Sequence, residues 1–442
     1  MWKMIAAVLA SLWLSSLLQS GTAFGRSTTI GPSAAWCDTI NTALPGDEIV
    51  FLPGSYTTPC WITARGTASN WIVIRSESEV DGQRATFAYP GSAANVLELR
   101  NAAYVILRGF AFAPTQDAVD AIRIRQANDI IIERNTFTGI GGVSIPANDS
   151  GTNIPRLTIR YNVFRDLQST GIYLGCHEGN CKVTDILVEG NFIDGVTSSG
   201  VGYGLEIKLN SYGTVRDNTV YRTKGPGLMA YGSNQGDPPT IFEGNYVEGS
   251  RTDGGIVIGG GPAIVRNNIL VGNTYGGISA QNYASRNLQR DVWIVHNTVL
   301  NNADSGINVQ GWTTGANNVI AYNAILPRSG TTALRPTNPV GTIVGNVTCG
   351  SATSCFVNAS TPPYDLWPTL TSPLLDAAGG GSEPWRPNDD FMGLSRGNAA
   401  DVGAFERVSS AIDHAVGGGN PRPPRISMDT IPPAAPSNLR VQ

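Results

Sequence analysis

Short runs of alternating apolar and polar residues recur through the middle of this chain. Six of them open on glycine: Gly171-Ile-Tyr-Leu, Gly204-Leu-Glu-Ile, Gly227-Leu-Met-Ala, Gly255-Ile-Val-Ile, Gly277-Ile-Ser-Ala and Gly306-Ile-Asn-Val. Side chains alternate between the two faces of a strand. Ile172, Leu174, Leu205, Ile207, Leu228, Ile256, Ile258, Ile278, Ile307 and Val309 therefore point into a core, and their neighbours point out. A second unit runs in step. Asn135, Asn162, Asn191, Asn218, Asn245, Asn268, Asn297, Asn323 and Asn346 each follow a short β-branched run, 23 to 29 residues apart. A repeat of that length marks a solenoid. Strand-sized units without helical periodicity predict an all-β fold, a right-handed single-stranded parallel β-helix. The asparagines are expected to stack as an internal ladder at one corner, amide to amide.

The pattern changes at both ends. Residues 26–60 read as an N-terminal cap, with a short helix-like stretch over 34–43. A cap is needed because an open β-helix end exposes unpaired strand edges. Coils follow over 61–350, and 351–410 closes the domain. Residues 411–442 read as a Gly- and Pro-rich linker leading to a stretch that resembles the first strand of a fibronectin type III domain, cut short. At the start, Lys3, the apolar run Ile5 to Leu18 and the small residues around Ala23 and Gly25 read as a signal peptide over 1–25. The expectation is a secreted protein, extracellular or periplasmic, with no membrane attachment once that segment is removed.

Composition agrees. The chain has 442 residues, 52 glycines and only 14% charged residues, with a net charge of −4. That balance gives no footprint for nucleic acid. Six cysteines in a secreted chain point to disulfides. Their spacing favours Cys37 with Cys60, Cys176 with Cys181 and Cys349 with Cys355.

Candidate chemistry lies on the outward columns. One column reads Arg123, Ser144, Tyr173, Glu206, Met229, Val257, Ser279, Asn308. The next reads Arg125, Pro146, Gly175, Lys208, Tyr231, Gly259, Gln281, Gln310. Coils stack at roughly 4.8 Å, which sets Lys208 beside Tyr231, Glu206 on the same face and Tyr173 one coil below. The loop Cys176 to Cys181 carries His177 toward that face. Such a surface suits an extended acidic sugar chain, because tyrosines stack on sugar rings and cations pair with uronate carboxylates. β-Elimination on such a polymer needs a base, an acid and a cation. Lys208 is the candidate base, and Tyr231 or His177 the candidate acid. Arg123, Arg125, Arg216, Tyr173, Glu206 and Gln281 are the candidate substrate contacts. The slot of His296, before a turn asparagine, reads as an ordinary solvated position.

The stretch Leu205-Glu-Ile-Lys-Leu-Asn-Ser211, followed by Val215-Arg-Asp-Asn218, resembles the catalytic coil of the β-helical alginate and chondroitin-B lyases. These are secreted proteins of the pectate-lyase-like superfamily. Gly46-Asp-Glu-Ile and the run Gly66 to Arg75 are similar to that family's opening. The resemblance implies Lys208 as base and Glu206 as an acid on the side of a calcium ion. The family carries Arg-His-Gly on the next coil. This chain has Ala230-Tyr-Gly232, so Tyr231 fills the histidine's slot. A polysaccharide lyase acting as a monomer is the reading that results. A uronate epimerase, a glycoside hydrolase and a non-catalytic carbohydrate-binding or adhesin solenoid are the alternatives.

Overall fold

The computed structural model describes residues 25–408, 415–423 and 425, apart from 313–315, 337–340, 380 and 382. The signal-peptide segment and the fibronectin-like stretch lie outside the described residues. Three parallel sheets wind around one apolar core as a right-handed β-helix. The largest sheet has 14 strands among the described residues, and the second has 12. The third has 8, and it carries the glycine-led strands. Leu205 stacks on Ile172, Leu228 on Leu205 and Ile256 on Leu228 in unbroken register. All of these are fully buried.

The asparagine ladder forms throughout. Each Nδ2 donates to the Oδ1 of the next asparagine at 2.8–3.0 Å, from Asn135 to Asn346. The same Oδ1 also accepts the preceding asparagine's backbone N–H. The buried amides are thus satisfied by one another. The left-handed corner itself falls one residue earlier, at Arg134, Tyr161, Gly190, Asp217, Gly244, Asn267, His296, Tyr322 and Gly345, with φ between 52° and 62°. A shorter second ladder, Asn273 to Asn302 at 2.9 Å, lies one corner further on.

The ends depart from expectation. The cap region contributes coil strands of its own, since Ser27–Ile30 pairs with Glu48–Phe51, and that strand with Ile72–Ser76. The helix Trp36–Asn41 closes the end, burying Trp36 and Ile40. Trp36 packs against Phe51, Tyr56 and Phe87. At the other end, residues 415–423 and Arg425 dock on the helix flank instead of hanging as a linker. Arg422 is buried and donates to the carbonyls of Gly244 and Phe391, at 2.8 and 2.7 Å. The closing segment also covers the corner of His296, which is wholly buried rather than solvated. That burial pushes its imidazole well below the ordinary range. All three expected disulfides form, with Cα separations of 5.6, 5.1 and 5.9 Å. Bonds of this kind fit an oxidising compartment. Among the described residues no helix is long and apolar enough to cross a membrane.

Candidate active site

The third sheet sets the site. Tyr173, Glu206 and Met229 are opposite one another on successive strands. Lys208 and Tyr231 follow at the strand ends. Below Tyr173 the expected column is two residues out. Pro146, not Ser144, lies opposite Tyr173, because a bend over 141–144 delays the strand to Ile145–Ala147.

Lys208 is the centre of the cluster. Its Nζ lies 2.5 Å from Glu206 Oε2 and donates to the Tyr231 phenol at 2.8 Å. The Tyr231 hydroxyl donates to Glu206 at 3.3 Å and shares a hydrogen bond of 3.1 Å with the Tyr203 hydroxyl. The ammonium also faces three rings. Its distances to the Tyr231, Tyr173 and Tyr203 centroids are 4.0, 4.6 and 5.5 Å, within the range of cation–π attraction.

Expected as an open surface, the cluster is covered instead. Glu206, Lys208 and Tyr231 are 1%, 4% and 1% exposed. The cover comes from side chains that strand alternation does not reach. The disulfide-closed loop brings the His177 ring to 5.7 Å from Tyr231. The segment over 282–290 lays Tyr283 edge-on against Tyr231, with centroids 4.7 Å apart. Tyr203 packs from just before its strand. Tyr203, Tyr283 and Arg286 are absent from the sequence reading because they sit in irregular stretches. One signal was available: the 29-residue gap between Asn268 and Asn297 leaves room for an aromatic- and arginine-bearing insertion.

Burial has electrostatic consequences. Desolvation pushes the Glu206 carboxyl up to about 7, against the pull of Lys208. The same desolvation pushes Lys208 down from the ordinary lysine range. Both shifts favour a pair that shares one proton over two separate charges. Burial first, and then Glu206, drive the Tyr231 phenol far upward, so it stays protonated. Tyr203 is pushed up to about 12 by burial. His177, half exposed, is lowered by desolvation and by the nearby Lys208 and Arg286.

Three expected contacts are elsewhere or committed. Arg123 is held by Asp120 and Asp149, and Arg125 by Glu98 and Asp149. Arg216 belongs to the largest sheet, paired with Glu189 at 2.7 Å. There it is one rung of an alternating column, Arg108, Glu133, Arg160, Glu189, Arg216, Glu243, Arg266. Its place before the ladder asparagine therefore serves the coil stack. Gln281 lies two coils above Tyr231, half-buried, in the expected column. Glu206 does not fit calcium. Its Oε2 is taken by an ammonium and a phenol, and among the described residues no group of three acidic, histidine or cysteine side chains is placed to hold a metal ion. Hard cations require several oxygen ligands.

The sequence profile described as right handed beta helix region matches residues 65–201, 121–292 and 193–334. No curated protein matches the chain in sequence. Several solved structures match in fold. A GH136 lacto-N-biosidase from Eubacterium ramulus is 9% identical with a TM-score of 0.52, over 73% of this chain and 68% of that one. A mutant of the PL6 family alginate lyase AlyGC is 16% identical with a TM-score of 0.50, over 82% of this chain and 60% of that one. Pectate lyase Pel9A is 16% identical with a TM-score of 0.49, over 88% and 98%. At these identities the likeness is one of fold, and it spans lyases and a hydrolase alike.

Proposed function

We propose that this chain, which belongs to the right-handed β-helix family, is a secreted polysaccharide lyase cleaving an acidic, uronate-containing polymer by β-elimination. The observation that carries the reading is the Lys208–Tyr231 contact of 2.8 Å inside a ring of tyrosines. It couples a base shifted toward neutrality to a phenol held protonated. Neutral Lys208 takes the C5 proton. The electron pair forms the C4–C5 double bond as the C4–oxygen bond breaks. The leaving oxygen takes the Tyr231 proton, and the lysine ammonium returns one to the phenolate. No net proton is gained or lost. His177, Tyr173 and Tyr203 form the rim that the sugar meets, and Lys208 is reached when that rim parts. Glu206 holds the lysine in place and sets its proton affinity.

A second reading has its own observation. Glu206, Lys208 and Tyr231 are almost wholly buried, while the rim aromatics are partly exposed. A carbohydrate-binding solenoid would need only that rim. One panel separates the two. The mature chain is incubated with alginate, pectate, chondroitin, dermatan and hyaluronan, and the ultraviolet absorbance of unsaturated ends is followed. Absorbance growth that is lost in Lys208→Ala and strongly cut in Tyr231→Phe supports the lyase. Reducing ends without that absorbance indicate a hydrolase. Binding without either product supports the solenoid reading.

A further inference from the structure

β-Elimination beside a carboxylate requires a cation at that carboxylate, and Arg123, Arg125 and Arg216 are all engaged by acids of the chain. Arg286 is less committed, since the acid beside it, Glu178, is exposed and more distant. It rides on the segment 282–290, which crosses over the cluster. Ala284, Ser285 and Asn287 all adopt left-handed backbone there, with φ of 51°, 54° and 56°. Non-glycine residues take that conformation at a cost, so three of them within four positions are held by their surroundings. Asn282 and Asn287 exchange hydrogen bonds of 2.9 and 2.7 Å across it. The buried Gln289 anchors it to the Ile258 carbonyl at 3.1 Å. The guanidinium is thereby fixed. Nη2 donates to the His177 carbonyl at 3.0 Å and lies 3.8 Å from Glu178 Oε2. Cζ stands 5.6 Å from the ring of Tyr283, which abuts Tyr231. Nη1 is buried and has no hydrogen-bond partner among the described residues.

A buried donor left without a partner is destabilising. A carboxylate removes that cost, since a guanidinium binds it with charge-assisted hydrogen bonds. We infer that Arg286 receives the carboxylate of the uronate whose C5 proton Lys208 removes. The inference rests on the lyase reading. Arg286 then withdraws charge from the reacting carbon through the carboxylate, and the parting of the rim that uncovers Lys208 also uncovers Nη1. Its positive charge contributes to the lowering of Lys208 as well.

The test compares acid with ester. Oligogalacturonate and oligoalginate, each against its methyl ester, are titrated into Lys208→Ala and into Lys208→Ala with Arg286→Gln. Thermal unfolding confirms that both variants are folded. The acid should bind Lys208→Ala roughly ten-fold more tightly than the ester, one charge-assisted hydrogen bond's worth. Arg286→Gln should erase that preference, and Arg286→Lys should restore part of it. In the otherwise native enzyme, Arg286→Gln should lower kcat and kcat/KM on the acid by a clearly larger factor than on the ester. Cleavage by the native chain with the preference intact in Arg286→Gln would overturn the inference alone. A preference lost in Arg286→Gln without cleavage of any polymer would uphold the carboxylate site and overturn the lyase reading. Neither cleavage nor binding would overturn both.

Discussion

At the scale of residues, Lys208 and Glu206 trade hydration for each other. Removing one charge of a buried pair is costly, because the other stays behind without its counter-ion, about 3–5 kcal/mol in comparable pairs. Lys208→Ala is therefore expected to destabilise the fold, and not to act as a silent surface change. The remaining Glu206 escapes part of the cost by holding a proton. Its folded pKa then lies above the unfolded value, so the folded state binds more protons and stability falls as pH rises through that range. Urea unfolding of Lys208→Ala should show a larger deficit against the native chain at pH 8 than at pH 5, and a pH-independent deficit would contradict this pairing. Glu206→Gln tests the catalytic side. The carboxylate favours the ammonium, so its loss lowers the Lys208 pKa further. The limb of kcat/KM that rises with pH should move to lower pH, and a shift the other way would remove Lys208 as the base. Lys208, Glu206, Tyr173 and Tyr231 were legible because strand alternation and a constant repeat assign faces. Their burial was not, because the cover comes from loops with no period.

At the scale of elements, the ladder asparagines carry the corner. Asn218 Oδ1 accepts two hydrogen bonds from Asn191, both of 2.9 Å, and its Nδ2 donates to Val188, Arg216 and Asn245. Asn218→Ala leaves several of these groups buried and unpaired, at about 1–3 kcal/mol each. Its cost by urea unfolding should be about 3 kcal/mol or more. Asn346 ends the ladder and is half-buried, so Asn346→Ala should cost clearly less. Equal costs would mean that the stacked amides do not cooperate. The ladder was readable from spacing alone. The alternating Arg and Glu column of the largest sheet was not singled out, because each member looks like an ordinary surface charge until the register sets it beside its neighbours. That is why Arg216 resembles a substrate ligand in sequence and proves to be a rung.

At the scale of the whole molecule, the chain folds back on itself. Arg422 lies with its guanidinium 4.0 Å from the Phe391 ring, and its backbone N–H donates to Thr219 at 2.8 Å. Arg425 reaches Asp217, Glu243 and Asp389 at 2.8, 2.9 and 3.0 Å. The Tyr221 hydroxyl donates to the Asn420 carbonyl at 3.0 Å. This strap ties two successive coils to the closing segment. Arg422→Ala should release it, since segments with few buried contacts open locally. Trypsin should then cut at Arg425 much faster in the variant, while the core's unfolding transition moves little. Unchanged cleavage would mean that the strap is held by its other contacts.

Sequence by itself determined the periodic part of this protein. Alternation assigned the core side chains of the glycine-led strands, a constant repeat picked out the asparagines that stack, and close cysteine spacing favoured the three disulfides that form. Periodic contacts are near neighbours in the repeat, so spacing encodes them. Tertiary structure alone decided what the irregular segments cover. The Arg286 guanidinium meets the His177 carbonyl across 109 residues. Arg422 meets Asp217 across 205 residues. Such contacts depend on where loops land in space, and no local pattern records that.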